Sequence, residues 1–140
     1  MEGKIQRFTD LKAWQEAHAL VLGVYQATKK YPDDERFGLV SQSRRAAVSI
    51  SSNIAEGFGR FSSKDKHHFY SMAKTSLAEL QNQFMISRDL NYISMNVFEE
   101  LYKRCENVGA HQRLDAFGSC ALTVLANSPP YPILHTLYFL

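Results

Sequence analysis

Arg44, Arg45 and Arg60 are the residues whose chemistry points most directly to a ligand. They lie in the segment RRAAVSISSNIAEGFGR, which also holds five alanine or glycine residues and a single acid, Glu56. A guanidinium group offers a planar fork of N–H donors that matches the oxygens of a phosphate or a carboxylate. Small residues on the same helix let another backbone approach closely. The segment therefore predicts a positively charged helix surface that contacts a partner.

The charge of this region is local. The chain as a whole carries a formal charge of +2, which is too small to indicate a dedicated nucleic-acid-binding protein. Between Arg36 and Arg60, however, four arginines face one acid. Two alternatives follow. In the first, Arg44, Arg45 and Arg60 bind RNA or DNA. In the second, at least one of Arg44 and Arg45 forms a salt bridge, within or between bundles, with Glu56 or an acid of the third helix. In the second case the chain is a structural or adaptor protein that binds a protein partner.

Asn53 and Glu56 lie three residues apart and so share one helix face. An amide and a carboxylate in that arrangement can orient a ligand, but they can equally bond another helix or a neighbouring arginine. A general acid or base would need a second titrating group nearby, and the sequence places none. We therefore predict no catalytic residues and a protein that is not an enzyme.

Metal and cofactor sites are not predicted. The consecutive His67 and His68 point about 100° apart on a helix, and no HExxH or Cys-x-x-Cys spacing occurs.

Gly57 and Gly59 come at the end of a helical pattern, where glycine commonly adopts the left-handed conformation that terminates a helix. Cys105 and Cys120 are interpreted as reduced thiols in a packed interior.

The composition is that of an ordinary globular domain. The 140 residues, 21% of them charged and 45% hydrophobic, are enough for one domain with a single core. The N-terminus has no apolar signal core, and no apolar run reaches the roughly 18 residues of a spanning helix. We expect a cytoplasmic protein with no membrane partner.

Four amphipathic helices are predicted to position these residues. The first begins at a cap on Thr9 or Asp10 and ends near Lys30, and the second runs from about Leu39 to the two glycines. The apolar stripe of the first comprises Leu11, Trp14, His18, Val21, Leu22 and Tyr25. That of the second comprises Leu39, Ala46, Ile50, Ile54 and Phe58, broadened by Ala47 and Val48.

The third and fourth helices complete the pattern. A cap on Ser62 or Ser63 starts the third, which continues to about Leu90, and Ser94 starts the fourth. Their apolar stripes are Phe69, Met72, Ala73, Ser76, Leu77, Leu80 and Phe84, and then Phe98, Leu101, Tyr102, Cys105 and Val108. Short connections between four such helices favour an all-α, antiparallel, up-and-down four-helix bundle.

Several stretches resemble the four-helix bundle proteins first noticed as open reading frames inside intervening sequences of bacterial 23S rRNA genes. They are FTDLKAWQEAH at 8–18, ERFGLVSQSRRAAVSISSNIAEGFGR at 35–60, SLAELQNQ at 76–83 and YIS at 92–94. The second is the most specific, because amphipathicity alone does not generate SQ-x-RRAA-x-S followed by SNIAEG-x-GR. The resemblance covers about residues 8–110.

This resemblance implies a homo-oligomeric ring, a pentamer, as in the related accessory proteins of diversity-generating retroelements. Those relatives use basic surface to engage nucleic acid and a reverse transcriptase, and no reaction is established for the family. The positions that match the family motif are Arg44, Arg45, Asn53, Glu56, Gly57 and Arg60. The resemblance assigns no role to Asn53, Glu56 or Gly57.

The sequence departs from the family pattern in two places. Ser51 stands where many relatives have proline, so a proline kink is not expected there. Residues 116–140 carry no Asp, Glu, Lys or Arg and contain three prolines, which rule out a continuous helix. A diverged or frame-shifted terminus would produce this tail, and a partner subunit could cover its apolar residues. We therefore divide the chain into a bundle domain, 1–115, and a tail, 116–140.

Overall fold

The computed structural model describes residues 5–117, with side chains described for 5–112, and shows four helices and no strand in that range. The helices are α1, Lys12–Thr28; α2, Leu39–Phe58; α3, Ser63–Asp89; and α4, Met95–Phe117. Each packs on the next along the chain, and α1 also packs on α4. This confirms the predicted four-helix bundle, and the cyclic order of contacts is the one expected of an up-and-down arrangement.

The core combines large aliphatic side chains with alanines. Leu20, Ile50, Leu80 and Phe84 are completely buried, and burial of each such side chain stabilises the fold by about 1.5–3 kcal/mol. Fully buried alanines on three helices lie among them and let the helix backbones approach closely: Ala17, Ala47 and Ala73. The small residues of α2 thus pack within the bundle itself.

The buried face of α1 differs from the predicted stripe. Its buried residues are Ala13, Ala17, Leu20, Val24 and Thr28. Leu22, which was expected to be on the apolar face, is 59% exposed, and Tyr25 is exposed as well. The prediction was wrong because it followed the larger side chains, whereas the close helix contact selects the alanines. Val48 and Met72, also expected to be on apolar faces, are likewise exposed.

The predicted caps are confirmed at two helices and wrong at one. Ser62 Oγ accepts from the backbone N–H of Asp65 at 3.0 Å, and Ser94 Oγ accepts from that of Val97 at 3.2 Å. Asp10 instead caps the 3-10 turn Phe8–Asp10, where its carboxylate accepts from the N–H groups of Arg7 and Gln6. These bonds, that from Arg7 first, lower the pKa of Asp10. Helix α1 begins after this turn without a side-chain cap.

The two glycines near the end of α2 have different roles from the predicted one. Gly59 ends the helix, but with a right-handed φ of −74° rather than a left-handed conformation. Gly57 is buried inside the helix, against the ring of Tyr70 on α3. Upstream, α2 continues through Ser51, whose hydroxyl donates to the carbonyl of Val48. The absence of proline at this position thus leaves the helix uninterrupted.

Of the two cysteines, only Cys105 lies within the described residues. Cys105 is a buried free thiol, and burial raises its pKa to about 12. Cys120 and nearly all of the tail at 116–140 lie outside the described residues. Across 5–117, no helix has both the length and the apolar character required to cross a membrane.

Candidate nucleic-acid interface

An open groove of about 1090 Å³ lies where the end of α1, the turn before α2, the first half of α2 and the middle of α3 meet. We call it the basic groove. Its charged lining residues are Arg36, Arg44, Arg45 and Glu79, and its aromatic ones are Tyr25 and Phe37. Three guanidinium groups and one carboxylate leave an excess of positive charge, which attracts anions to a concave surface.

Arg44 is fixed on the wall of this groove by two contacts with α1. Its Nε donates to Thr28 Oγ1 at 3.0 Å, and its guanidinium carbon lies 4.5 Å from the centre of the Tyr25 ring. The Thr28 hydroxyl in turn donates to the carbonyl of Val24 at 2.8 Å. Because one N–H and one face of the guanidinium are used within the bundle, Arg44 offers its remaining donors in a fixed direction.

Arg45 is the contrasting neighbour. Its side chain is exposed, and it makes no hydrogen bond or ion pair with residues 5–112. The alternative in which Arg44 or Arg45 pairs with an acid of the same bundle is therefore not observed in this part of the chain. Pairing with another subunit remains a prediction.

The turn that precedes α2 contributes Arg36 and Phe37 to the groove. Phe37 is 88% exposed, and the Arg36 guanidinium carbon lies 5.5 Å from its ring centre. Glu35 anchors this turn at both sides: its Oε2 accepts from the backbone N–H of Leu39 at 2.9 Å, and its Oε1 accepts from the Tyr92 hydroxyl at 3.3 Å. The turn is thus tied to the start of α2 and to the connection between α3 and α4.

Arg60 does not join the other arginines. It lies more than about 20 Å further along α2, given the helical rise per residue, and lines a second, smaller recess together with Phe8 and Glu56. Its Nη2 is 2.9 Å from Glu56 Oε2, and its guanidinium carbon is 4.5 Å from the ring centre of Phe69. The structure therefore separates the three predicted arginines into a pair and a distant, ion-paired residue.

Asn53 and Glu56 do not form a joint site. The Asn53 amide is buried and donates to the carbonyl and the hydroxyl of Ser49, at 2.8 and 3.1 Å. Ser49 also shares a 2.9 Å hydrogen bond with Ser76 on α3. Asn53 thus belongs to a polar contact between helices, and Glu56 is held by Arg60. Gly57 likewise packs against Tyr70.

The described residues bring no three His, Cys, Asp or Glu side chains together as a metal site would require. The groove itself has one carboxylate, Glu79, and no histidine or cysteine. What its lining offers chemically is cationic hydrogen-bond donors, hydroxyl and amide groups, and two aromatic rings. These groups suit the binding of an anionic, aromatic ligand.

Sequence reasoning missed two residues of the groove. Arg36 entered the local arginine count but was not singled out, and Phe37 was not considered. The sequence could have indicated both, because they directly precede the start of α2, the end of the helix that carries Arg44 and Arg45. Tyr25 was expected on the apolar stripe of α1, whereas it is 40% exposed and lies under Arg44.

Comparison with known proteins gives one family. A family model described as "23S rRNA-intervening sequence protein" matches residues 9–112. That range includes all of α1, α2 and α3, most of α4 and every residue that lines the basic groove. A search of curated proteins found no similar sequence.

Proposed function

Since the chain belongs to the 23S rRNA-intervening sequence protein family, we propose that it is a non-enzymatic helical-bundle protein that binds nucleic acid in the basic groove. Of the two nucleic acids, we propose RNA in preference to DNA. The family name associates its members with an rRNA insertion and does not specify a reaction. The groove supplies the physical reason, because it collects three arginines against a single carboxylate on an open surface. Phosphate oxygens are the groups that such an arrangement binds best.

The observation that carries this proposal is the state of Arg45. An arginine used for structure is paired or packed, as Arg60 is with Glu56 and Phe69. Arg45 is exposed beside Arg44 and has no partner among the side chains described. Its donors are therefore available to a phosphate without the loss of an existing contact. This revises the predicted set, with Arg36 in place of Arg60.

A second candidate function is assembly, either as a homo-oligomer or as an adaptor for a protein partner. It is favoured by three apolar side chains on separate helices that the bundle leaves exposed: Leu22, Val48 and Met72, at 59%, 41% and 42%. A contact between subunits would cover these side chains if they form one contiguous apolar surface. The family resemblance implies a ring of five copies. Light scattering checks this directly, because a mass of one 16.0 kDa chain would contradict it.

The proposal is tested by fluorescence anisotropy with a structured RNA and a DNA duplex over a series of salt concentrations. We compare the wild type with Arg45→Ala and with Arg104→Ala, a matched control that removes an arginine paired to Glu100 on α4. The expected result is salt-sensitive binding in which Arg45→Ala reduces the slope of log affinity against log salt by about 0.7–0.9. The Arg104→Ala slope should equal that of the wild type.

Two results would contradict nucleic-acid binding in the groove. One is absence of binding at low salt, and the other is an equal loss in both variants, which would indicate only the general effect of net charge. If Arg45→Ala instead lowers the oligomeric mass while nucleic-acid affinity is nil, the arginine serves an intersubunit salt bridge. The assembly function would then replace the first proposal.

A further inference from the structure

Phe37 is exposed in a place where its neighbours are cationic. Phe37 is 88% exposed, although it lies in a groove lined by Arg36, Arg44 and Arg45. Phe61 is still more exposed, at 104%, but lies outside both the basic groove and the Arg60 recess. Both phenylalanines are thus largely exposed, and only Phe37 lines the basic groove.

The position of Phe37 is constrained by the residues on either side of it. Glu35 bonds to Leu39 and Tyr92, so the turn is attached to two other parts of the bundle. At Gly38, a Cβ atom would lie 2.5 Å from Glu35 Oε2, because the carboxylate occupies the space of a side chain. The turn thus presents the Phe37 ring from a tethered backbone, which lowers the entropy lost when a flat ligand stacks on it.

We infer that the groove takes unpaired nucleotides of RNA, with a base stacked on Phe37 and the adjoining phosphates bonded by Arg44 and Arg45. This inference rests on the proposed function and specifies its ligand. An aromatic ring beside cationic groups is the arrangement that binds single strands, because every base has a face that can stack while the backbone meets the positive charge. In a regular duplex those faces are covered by neighbouring bases, and Phe37 would have no surface to contact.

The test compares a single-stranded oligoribonucleotide, an RNA duplex of equal length, and a single strand in which abasic sites replace the bases. The proteins are the wild type, Phe37→Leu, Phe37→Trp and the matched control Phe61→Leu. We expect Phe37→Leu to weaken single-strand binding about 5- to 100-fold. Phe61→Leu should leave it unchanged, and Phe37→Trp should retain it. The duplex and abasic strands should not distinguish Phe37→Leu from the wild type.

Phe37→Trp also gives a direct signal. The chain has one tryptophan, Trp14, which lies on α1 away from the groove, so the new indole is the only one that the groove holds. A base stacked on it should quench its fluorescence in proportion to binding, and the abasic strand should not.

The outcomes separate this inference from the proposal beneath it. Salt-sensitive, Arg45-dependent RNA binding that is equal in Phe37→Leu and the wild type would overturn the stacking and keep the groove. Preference for the duplex would do the same. If no RNA binds at all, both fail. A lower oligomeric mass in Phe37→Leu with unchanged RNA affinity would assign the ring to a protein contact.

Discussion

At the scale of single residues, Arg44 and Arg45 of α2 differ in their contacts with the bundle. Consecutive helical residues point about 100° apart, so Arg44 turns towards α1 while Arg45 faces solvent. The hydrogen bond to Thr28 and the contact with Tyr25 give Arg44 a structural role that Arg45 lacks. The sequence predicts the pair but not this division, because Thr28 and Tyr25 belong to another helix.

This difference predicts that substituting Arg44 and substituting Arg45 change the free energy of unfolding by different amounts. Arg44→Ala should lower the free energy of unfolding by about 1 kcal/mol, through loss of one hydrogen bond and one cation–π contact. Arg45→Ala should leave it within about 0.5 kcal/mol of the wild type, as is usual for an exposed residue without partners. Urea unfolding followed by circular dichroism measures both values. Equal values for the two variants would show that Arg44 is not held as described.

At the scale of helices, the sequence predicts the elements better than their faces. Ser62 and Ser94 mark the true starts of α3 and α4, because a cap is a local interaction. The start of α1 was misplaced, since Asp10 can cap either a 3-10 turn or an α-helix and the sequence does not distinguish the two. The face of α1 was misjudged because close packing of alanines depends on the opposing helix. Periodicity therefore identifies a helix more reliably than it identifies the buried side.

The packing of α2 on α3 at Gly57 gives a prediction about this helix pair. A Cβ at Gly57 would lie 2.6 Å from Cε1 of the buried Tyr70 ring, so the helices or the ring must shift. Gly57→Ala should therefore lower the free energy of unfolding by about 1–3 kcal/mol, despite the higher helix propensity of alanine. Thermal or urea unfolding gives the value.

Gly59→Ala is the matched control for this substitution. Among residues 5–117, its Cβ would meet only the carbonyl oxygen of Glu56, at 3.6 Å, an ordinary contact, and its φ of −74° suits alanine. We expect a stability equal to or slightly above that of the wild type. Similar losses at both positions would indicate that glycine is needed at the end of α2 for its backbone, as the sequence had suggested, and not for the contact with Tyr70.

At the scale of the whole molecule, the basic groove exists only because the bundle brings separate segments together. Arg44 and Arg45 come from α2, Tyr25 from α1, Phe37 from the turn between them, and Glu79 from α3. A local charge count detects the arginines, but their meeting with an aromatic ring depends on how the turn is tied down by Glu35. The same count also includes Arg60, which the structure places several helical turns away from Arg44 and Arg45 in a separate recess.

The buried thiol of Cys105 makes the stability of the bundle depend on pH. Its side chain is completely buried, and this burial, helped by the negative charge of Glu106, raises its pKa to about 12 from an ordinary value of 9.0. In the unfolded chain the thiol ionises near pH 9, whereas in the folded chain it stays neutral until about pH 12. Stability from this group is therefore complete below pH 9 and is lost as the pH rises towards 12.

A Cys120→Ser variant leaves Cys105 as the sole thiol, so its reaction with an aromatic disulfide reagent at pH 8 reports exposure of the core. The thiolate is the reacting form, and both burial and the raised pKa suppress it in the folded state. We expect the folded protein to react about a thousandfold or more slowly than the urea-unfolded chain, given typical domain stabilities. The rate should rise with urea along the same curve as global unfolding. Rapid reaction without urea, in a chain that circular dichroism shows to be stably folded, would mean that a local opening exposes Cys105, and the bundle would then not unfold as one unit.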